Sequence, residues 1–475
     1  MSDPAGGSGA EVRYPLTLNQ QFVCLFDPEG EHGPLGSWYH ITHAWWLDGS
    51  VDQAVLERSL ADVVERHAAL RTVLVAGPDE AGYLQEVRPA SAPELLLRDL
   101  THTADAARES AAEELLTELE ATPLDGRQTP LLRAVLARFS PDRSLLALTV
   151  HHTAADGWSV RALVRDLSQC YAARAAGHAP EPYDAAAYGD FALWQQGDDA
   201  GKDVEEALPY WRETLADTRV TVMPTDHPRS RTDRPDTSAI HRFALPADTS
   251  DRIRALANEA RCTHFMVLYA AYGLLMRGPT GTTDVVVPTF TPGRFGDGRF
   301  DRTVGSFFNF LPLRIDHLGC RDFRDLLRRT RTACARGYTN DIPTLHIFGA
   351  LPTLMADAVL EDRAPCVFQG FSFPELLDGE RVGPLGYTEL RGRTRSQPLG
   401  PDVPDGALWT LELDPAGPIT GSVQYRTRLF DAATVESWTA SYTALLDTVT
   451  AAPDGPLPVG TVPAVEDGRA APTPG

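Results

Sequence analysis

The first sustained helical period along the chain falls on VDQAVLERSLADVVERHAALR, where Val55, Leu56, Leu60, Val63, Val64 and His67 recur at helical spacing. That spacing predicts an amphipathic helix with one face in a core. A second helical stretch covers roughly 104–120 and gives way to the turn PLDGRQTP. Two apolar runs, LLRAVLARF at 131–139 and SLLALTVHH at 144–152, flank SPDR and predict a hairpin. The helical period then returns from Trp158 to Ala176, with Asp156 or Ser159 placed to cap its start. The second half repeats this logic. A helix over 249–277 leads to the strand DVVVPTF, the loop TPGRFGDGRFDRTVG and a further strand in FFNFLPLRID. A basic amphipathic helix follows over 321–337, and the strand GSVQYRTRLF and helix ATVESWTASYTALLDTV close the pattern.

Helices and strands alternating in both halves predict an α/β (α+β) pair of subdomains. The 475 residues exceed what one ordinary core holds. The Pro-, Ser-, Thr- and Asp-rich stretch MPTDHPRSRTDRPDTS marks the boundary between the halves. The expected division is a disordered N-terminus at 1–13, an N-terminal subdomain at 14–221, a linker at 222–238, a C-terminal subdomain at 239–452 and a flexible tail at 453–475. No fixed-period repeat is present, which argues against solenoids and arrays.

A formal net charge of −22 makes nucleic acid and anionic membrane poor partners. The six cysteines are scattered without a C-x-x-C, which argues against a disulfide framework and a zinc ribbon and fits a reducing cytoplasm. The N-terminus lacks the charged and apolar regions of a secretory signal, and no apolar run approaches the length of a membrane span.

The candidate chemistry sits in HHTAADGWS, residues 151–159, where a strand is expected to hand over to a helix. Adjacent histidines on a strand leave on opposite faces, so His151 and His152 are poorly placed to share a metal ion. One imidazole can face a cleft as a proton acceptor while the other packs within its own subdomain. Asp156 is equally able to orient a histidine or to pair with an arginine and brace the turn. Gly157, without a Cβ, lets a substrate carbonyl approach the backbone. No G-x-S-x-G elbow or cysteine motif offers a covalent nucleophile.

HHTAADGWS resembles the H-H-x-x-x-D-G motif of the condensation domains of nonribosomal peptide synthetases, and other segments agree in order. YPLTLNQQ at 14–21, RHAALRT at 66–72, TPLLRAVLARF, YGDFALWQQ at 188–196, the PGR ending at Arg294, VGSFFNFLPLR at 304–314 and VQYRTRLFDAATVESW are each similar to a segment of that family. The resemblance spans roughly residues 14–450. It implies two chloramphenicol-acetyltransferase-like subdomains forming a V with a central tunnel. It also implies His152 as the catalytic histidine, His151 and Asp156 as supporting residues, and Arg294 as the partner of Asp156. Gly157 and Trp158 fall at substrate-binding positions, and Asn309 and Arg314 at structural ones.

The expected activity is transfer of an acyl or aminoacyl group from a carrier protein's phosphopantetheine thioester to an amine or hydroxyl, in natural-product biosynthesis. No bound cofactor is implied, since the phosphopantetheine arm comes with the donor carrier. The sequence shows no carrier or adenylation signature, so a stand-alone enzyme meeting its carrier in trans is expected. The basic helix, through Arg324, Arg328 and Arg331, is a candidate for docking an acidic carrier, RGRTR at 391–395 is a second, and a solvated helical face is the plainer reading. Two alternatives share the motif: an acyltransferase using soluble acyl-coenzyme A, and a non-catalytic recruitment module.

Overall fold

The computed structural model describes residues 12–26, 30–77, 82–295, 298–371, 377–413 and 417–458. Of the expected disordered N-terminus, residues 1–11 lie outside this set, as do 459–475 of the expected tail. The N-terminal half is built on a sheet of six strands, in the order Glu380–Val382, Leu385–Glu389, His40–Asp48, Arg143–His151, Leu132–Ser140, Leu95–Asp99. Strand alternation divides its side chains between two layers. Leu146, Leu148 and Val150 join Trp45 and Leu47 in a core with the helices Gln53–Arg66 and Gly157–Ala175. Leu145 and Ala147 join Ala44, Trp46 and Phe139 under the helix Arg108–Glu120. Full burial of each such Leu or Val stabilises the fold by about 1.5–3 kcal/mol.

The C-terminal half has a second six-stranded sheet, ordered Gln397–Gly400, Ser238–Ala244, Thr420–Arg426, Ala407–Glu412, Arg363–Phe371, Val222–Pro224. Its core joins the helices Ala247–Ala260, His264–Thr280, Phe323–Thr339 and Ala432–Ala451. The strands Asp284–Thr291 and Asn309–Asp316 pair antiparallel beside it, with Phe290 opposite Phe310.

Several sequence expectations change here. The single helix over 249–277 is two helices, because Arg261 adopts a left-handed conformation (φ 51°) and the Thr263 hydroxyl caps a new start at the Met266 amide. Residues 222–238 are no free linker: Val222–Pro224 is a strand paired with Arg363–Pro365, Arg229 bonds both carboxylate oxygens of Asp405 at 2.9 and 2.8 Å, and Arg234 bonds Asp431 at 2.8 Å. Residues 12 and 13 begin the strand Val12–Pro15. The first residues of the expected tail are tied down, with the Pro453 carbonyl accepting from the Arg324 amide and Pro456 bridging to Asp322.

The largest change is a crossing of the chain. Leu385–Glu389, expected within 239–452, adds to the N-terminal sheet, pairing Tyr387 with Leu47 and Glu389 with Trp45. Just beyond it, Arg393 and Arg242 both reach the buried carboxylate of Glu120, at 2.5 and 3.0 Å. This forms one seam between the halves. Burial pushes the Glu120 pKa up, but the two guanidinium groups outweigh it and hold the carboxyl below its ordinary value.

Candidate active site

The strand Arg143–His151 ends one residue before His152, so the two histidines separate at a strand end. His151 is fully buried, with Nε2 donating to the Gly36 carbonyl at 2.9 Å and Nδ1 bonded to the Thr153 hydroxyl at 2.7 Å. Burial lowers its pKa to about 4, so it is a neutral brace. Gly126 is required beside it: a Cβ there would fall 2.5 Å from His151 Nε2.

His152 stands on the turn that follows. Its backbone amide bonds to Tyr39 O at 2.8 Å, and its Nδ1 lies 2.9 Å from the Ala155 carbonyl. A carbonyl only accepts, so Nδ1 carries the proton and Nε2 the lone pair. Among the described residues, no hydrogen bond to Nε2 is formed. Tyr39 stacks on the ring at 4.9 Å and Phe308 tilts over it at 5.2 Å, one aromatic group from each half. Burial lowers the His152 pKa, the Asp156 charge opposes that shift, and the net result is a base that stays neutral below the usual histidine range.

Asp156 caps the helix Gly157–Ala175, with Oδ1 accepting from the Ser159 amide at 2.7 Å. Its other oxygen accepts from the Phe307 amide at 3.0 Å, and its own amide donates to Gly305 O at 3.1 Å. Arg294 lies 3.6 Å from Asp156 and donates to the Ser159 hydroxyl at 2.9 Å and to the Phe300 and Thr303 carbonyls at 2.9 and 2.8 Å. Asp156 and Arg294 therefore join the helix start to the 300–307 loop. Gly305 permits the close fit, since a Cβ there would meet the Tyr188 ring at 2.1 Å.

The remaining expected site residues are more dispersed. Gly157 opens the helix and its carbonyl accepts from Arg161 at 3.0 Å. Trp158 faces Arg294, whose guanidinium carbon is 6.0 Å from its ring centre. Arg324 and Arg331 turn to the neighbouring helix, Arg324 pairing with Glu259 at 2.9 Å and Arg331 donating to Ala260 O at 3.3 Å. Arg328 faces a different surface, a shallow groove shared with Arg329, Arg336 and Tyr210, and pairs with Asp325. The three arginines do not form one face. Asn309 binds Asp341 at 2.7 Å and the Ile342 carbonyl at 2.8 Å, and Arg314 makes two 2.7 Å bonds to Asp284.

Sequence reasoning missed the surroundings of His152. Phe308 leads into a run of rings packed edge-to-face or tilted: Phe290 at 5.3 Å, Phe310 at 5.7 Å from Phe290, then Phe22 at 5.4 Å from Phe310, with Phe26 and Phe348 at 5.5 and 5.9 Å from Phe22. These rings come from four separate stretches of the chain, so no local spacing could reveal them. Among the described residues no group of three His, Cys, Asp or Glu side chains could hold a metal ion, and no helix is long and apolar enough to cross a membrane.

The family model described as condensation domain matches residues 11–356. The chain belongs to the condensation-domain family. Condensation domains carry out amide-bond-forming acyl transfer on carrier-bound phosphopantetheine substrates and need no bound cofactor of their own. The fold is theirs, built from two chloramphenicol-acetyltransferase-like halves. The chain is 31% identical over 466 residues to a linear gramicidin synthase of Brevibacillus parabrevis, covering 95% of this chain and 6% of that protein. It is 34% identical over 462 residues to a probable non-canonical nonribosomal peptide synthetase of Salinispora arenicola, covering 93% of this chain and 6% of that protein. The chain thus spans a small part of these relatives. The solved structure of the SgcC5 protein from Streptomyces globisporus, a complex with (R)-(-)-1-(2-naphthyl)-1,2-ethanediol and sucrose, is 39% identical with a TM-score of 0.89, covering 93% of this chain and 100% of that one.

Proposed function

We propose that this condensation domain transfers an acyl or aminoacyl group from a carrier-bound phosphopantetheine thioester to a hydroxyl or amine of a small aromatic acceptor. The observation that carries this reading is the state of His152: Nδ1 is committed to Ala155 O, and Nε2 is a free lone pair between Tyr39 and Phe308. The adjoining phenylalanines form an apolar, aromatic cluster against which an aryl group can pack. The aryl diol bound by the SgcC5 protein has this chemistry, which favours a hydroxyl acceptor and an ester product.

In the reaction, the acceptor oxygen attacks the thioester carbonyl carbon while its proton passes to, or is held by, His152 Nε2. The new C–O bond forms, the C–S bond breaks, and the departing thiolate takes the proton back. Such a base contributes about 10²–10⁴-fold, and alignment of the two reactants contributes further. His151 braces the strand end within its own half, and Asp156 and Arg294 hold the halves together, none of them touching the reacting atoms. An acidic carrier arriving in trans suits the groove of Arg328, Arg329 and Arg336, where Arg328 and Arg329 pair with Asp325 and Asp316 but remain more exposed than Arg324.

The test is incubation with aminoacyl thioesters on a purified carrier and with 1-(2-naphthyl)-1,2-ethanediol or its amino alcohol analogue, read by mass spectrometry. The expected result is the ester or amide of the acceptor, with release of free carrier thiol. Equal turnover of the same acyl group on soluble coenzyme A would replace the carrier in this reading, and binding of carrier without product would make the domain a recruitment module.

A further inference from the structure

A cluster of charges with one open edge lies beside the His152 machinery. Glu389, on the crossing strand, accepts from Arg161 Nε and Nη2 at 3.2 and 2.6 Å, and Arg391 lies 2.9 Å away. The fourth member is His43, whose Nδ1 is 3.6 Å from Glu389 Oε1; the Glu389 side chain is 2% exposed and that of His43 26%. Burial pushes the Glu389 pKa up, but His43 and the two arginines prevail and bring it to about 2, so the carboxylate is charged at neutral pH.

A carboxylate on the Nδ1 side of a neutral imidazole draws the ring proton to Nδ1 and leaves Nε2 as an acceptor. With Nδ1 turned to the carboxylate, His43 directs its Nε2 away from Glu389, and among the described residues no hydrogen bond to that nitrogen is formed. The strand places it well. His40 pairs with His151 and His43 with Leu148, so His43 leaves the sheet on the side of Ile41 and Tyr39, the ring that stacks on His152. Arg161, which holds Glu389, also bonds to Gly157 O at the head of the motif helix.

His152 thus has a wall of phenylalanine rings toward one side and this polar cluster on the face of its own sheet. If the rings receive the aryl acceptor, the polar side falls to the acyl donor. We propose that His43 is a specificity-determining residue that accepts a hydrogen bond at Nε2 from the amino group of an aminoacyl donor, so that the donor is an aminoacyl rather than a plain acyl chain. This rests on the thioester-donor reading above.

Two unreactive probes test it, the pantetheine amides of phenylalanine and of 3-phenylpropanoic acid, which differ only in the amino group. Calorimetry of the wild-type protein should show the phenylalanyl compound binding about 10-fold more tightly, the worth of one such hydrogen bond. In His43→Ala that preference should collapse while the affinity for 3-phenylpropanoyl-pantetheine stays the same; His43→Gln, which keeps an acceptor, should restore part of it and decides the matter if His43→Ala does not fold. A wild-type protein without preference, or a His43→Ala variant that keeps it or weakens both probes alike, overturns the inference and leaves the thioester-donor reading standing. Failure of both probes to bind overturns the two together.

Discussion

Asp156 Oδ2 accepts a hydrogen bond from the Phe307 amide at 3.0 Å, so the residue that starts the helix behind His152 also holds a loop of the opposite half. Removing that carboxylate leaves the Phe307 and Ser159 amides without acceptors and strips the buried Arg294 of its counter-charge. Asp156→Ala should therefore lose about 3–5 kcal/mol of stability by urea unfolding. An unchanged midpoint would contradict the bracing role.

At Gly126 the expected effect is on His151. Ala at this position forces a methyl to 2.5 Å from His151 Nε2, against the bond to Gly36 O. Gly126→Ala should lower stability by about 1–3 kcal/mol and reduce turnover as the neighbouring His152 shifts. Thermal melting and product formation measured together check this; full activity at an unchanged Tm would show that the turn has slack.

Glu120 should behave as a seam residue. Glu120→Gln removes the charge that faces Arg242 and Arg393, both largely buried. The expected result is faster amide hydrogen exchange in residues 391–397, where the chain returns from the N-terminal to the C-terminal half, with a stability loss of about 2–4 kcal/mol. Exchange unchanged in that segment would place the hold between the halves elsewhere.

The pH dependence of stability follows from buried neutral histidines. Burial depresses His40 to about 3, His151 to about 4 and His317 to about 4. Each has a folded pKa below its unfolded one, so the unfolded chain binds more protons below about pH 6.5 and stability falls as pH drops through that value. Asp341, raised to about 6 by burial, acts with the opposite sign: its contribution is present at low pH and lost as pH rises through 6. These four groups together account for uptake of roughly two protons on unfolding near pH 5. Urea midpoints between pH 5 and 8 measure it, and a flat profile would show these rings already accept protons in the folded state.

Much of the architecture was legible because the strands are short, largely apolar runs bounded by turns and the helices keep their period. The hairpin of Leu132–Ser140 and Arg143–His151, and the Asp156 cap, could be read from local pattern alone. The break at Arg261 was hidden because apolar spacing continues across it, and only the left-handed residue and the Thr263 cap separate the helices. The crossing strand Leu385–Glu389 was hidden for another reason: its partner His40–Asp48 is more than three hundred residues away, and nothing local records that pairing. The same applies to Glu389 beside His43 and Phe308 beside His152, which the fold brings together from both halves. Arg324, Arg328 and Arg331 share a basic helix, but its neighbours assign them to different surfaces.

The most direct measurement is the single-turnover rate of ester formation between a carrier-bound aminoacyl thioester and 1-(2-naphthyl)-1,2-ethanediol, for wild type and for His152→Gln at matched folding, across pH 5.5–8. If His152 Nε2 manages the acceptor's proton, the variant should be slower by about 10²–10⁴-fold. The wild-type rate should then begin to fall at a lower pH than an ordinary histidine would give, because burial holds the His152 pKa below its usual value. Ester formed by His152→Gln at the wild-type rate would contradict the central claim.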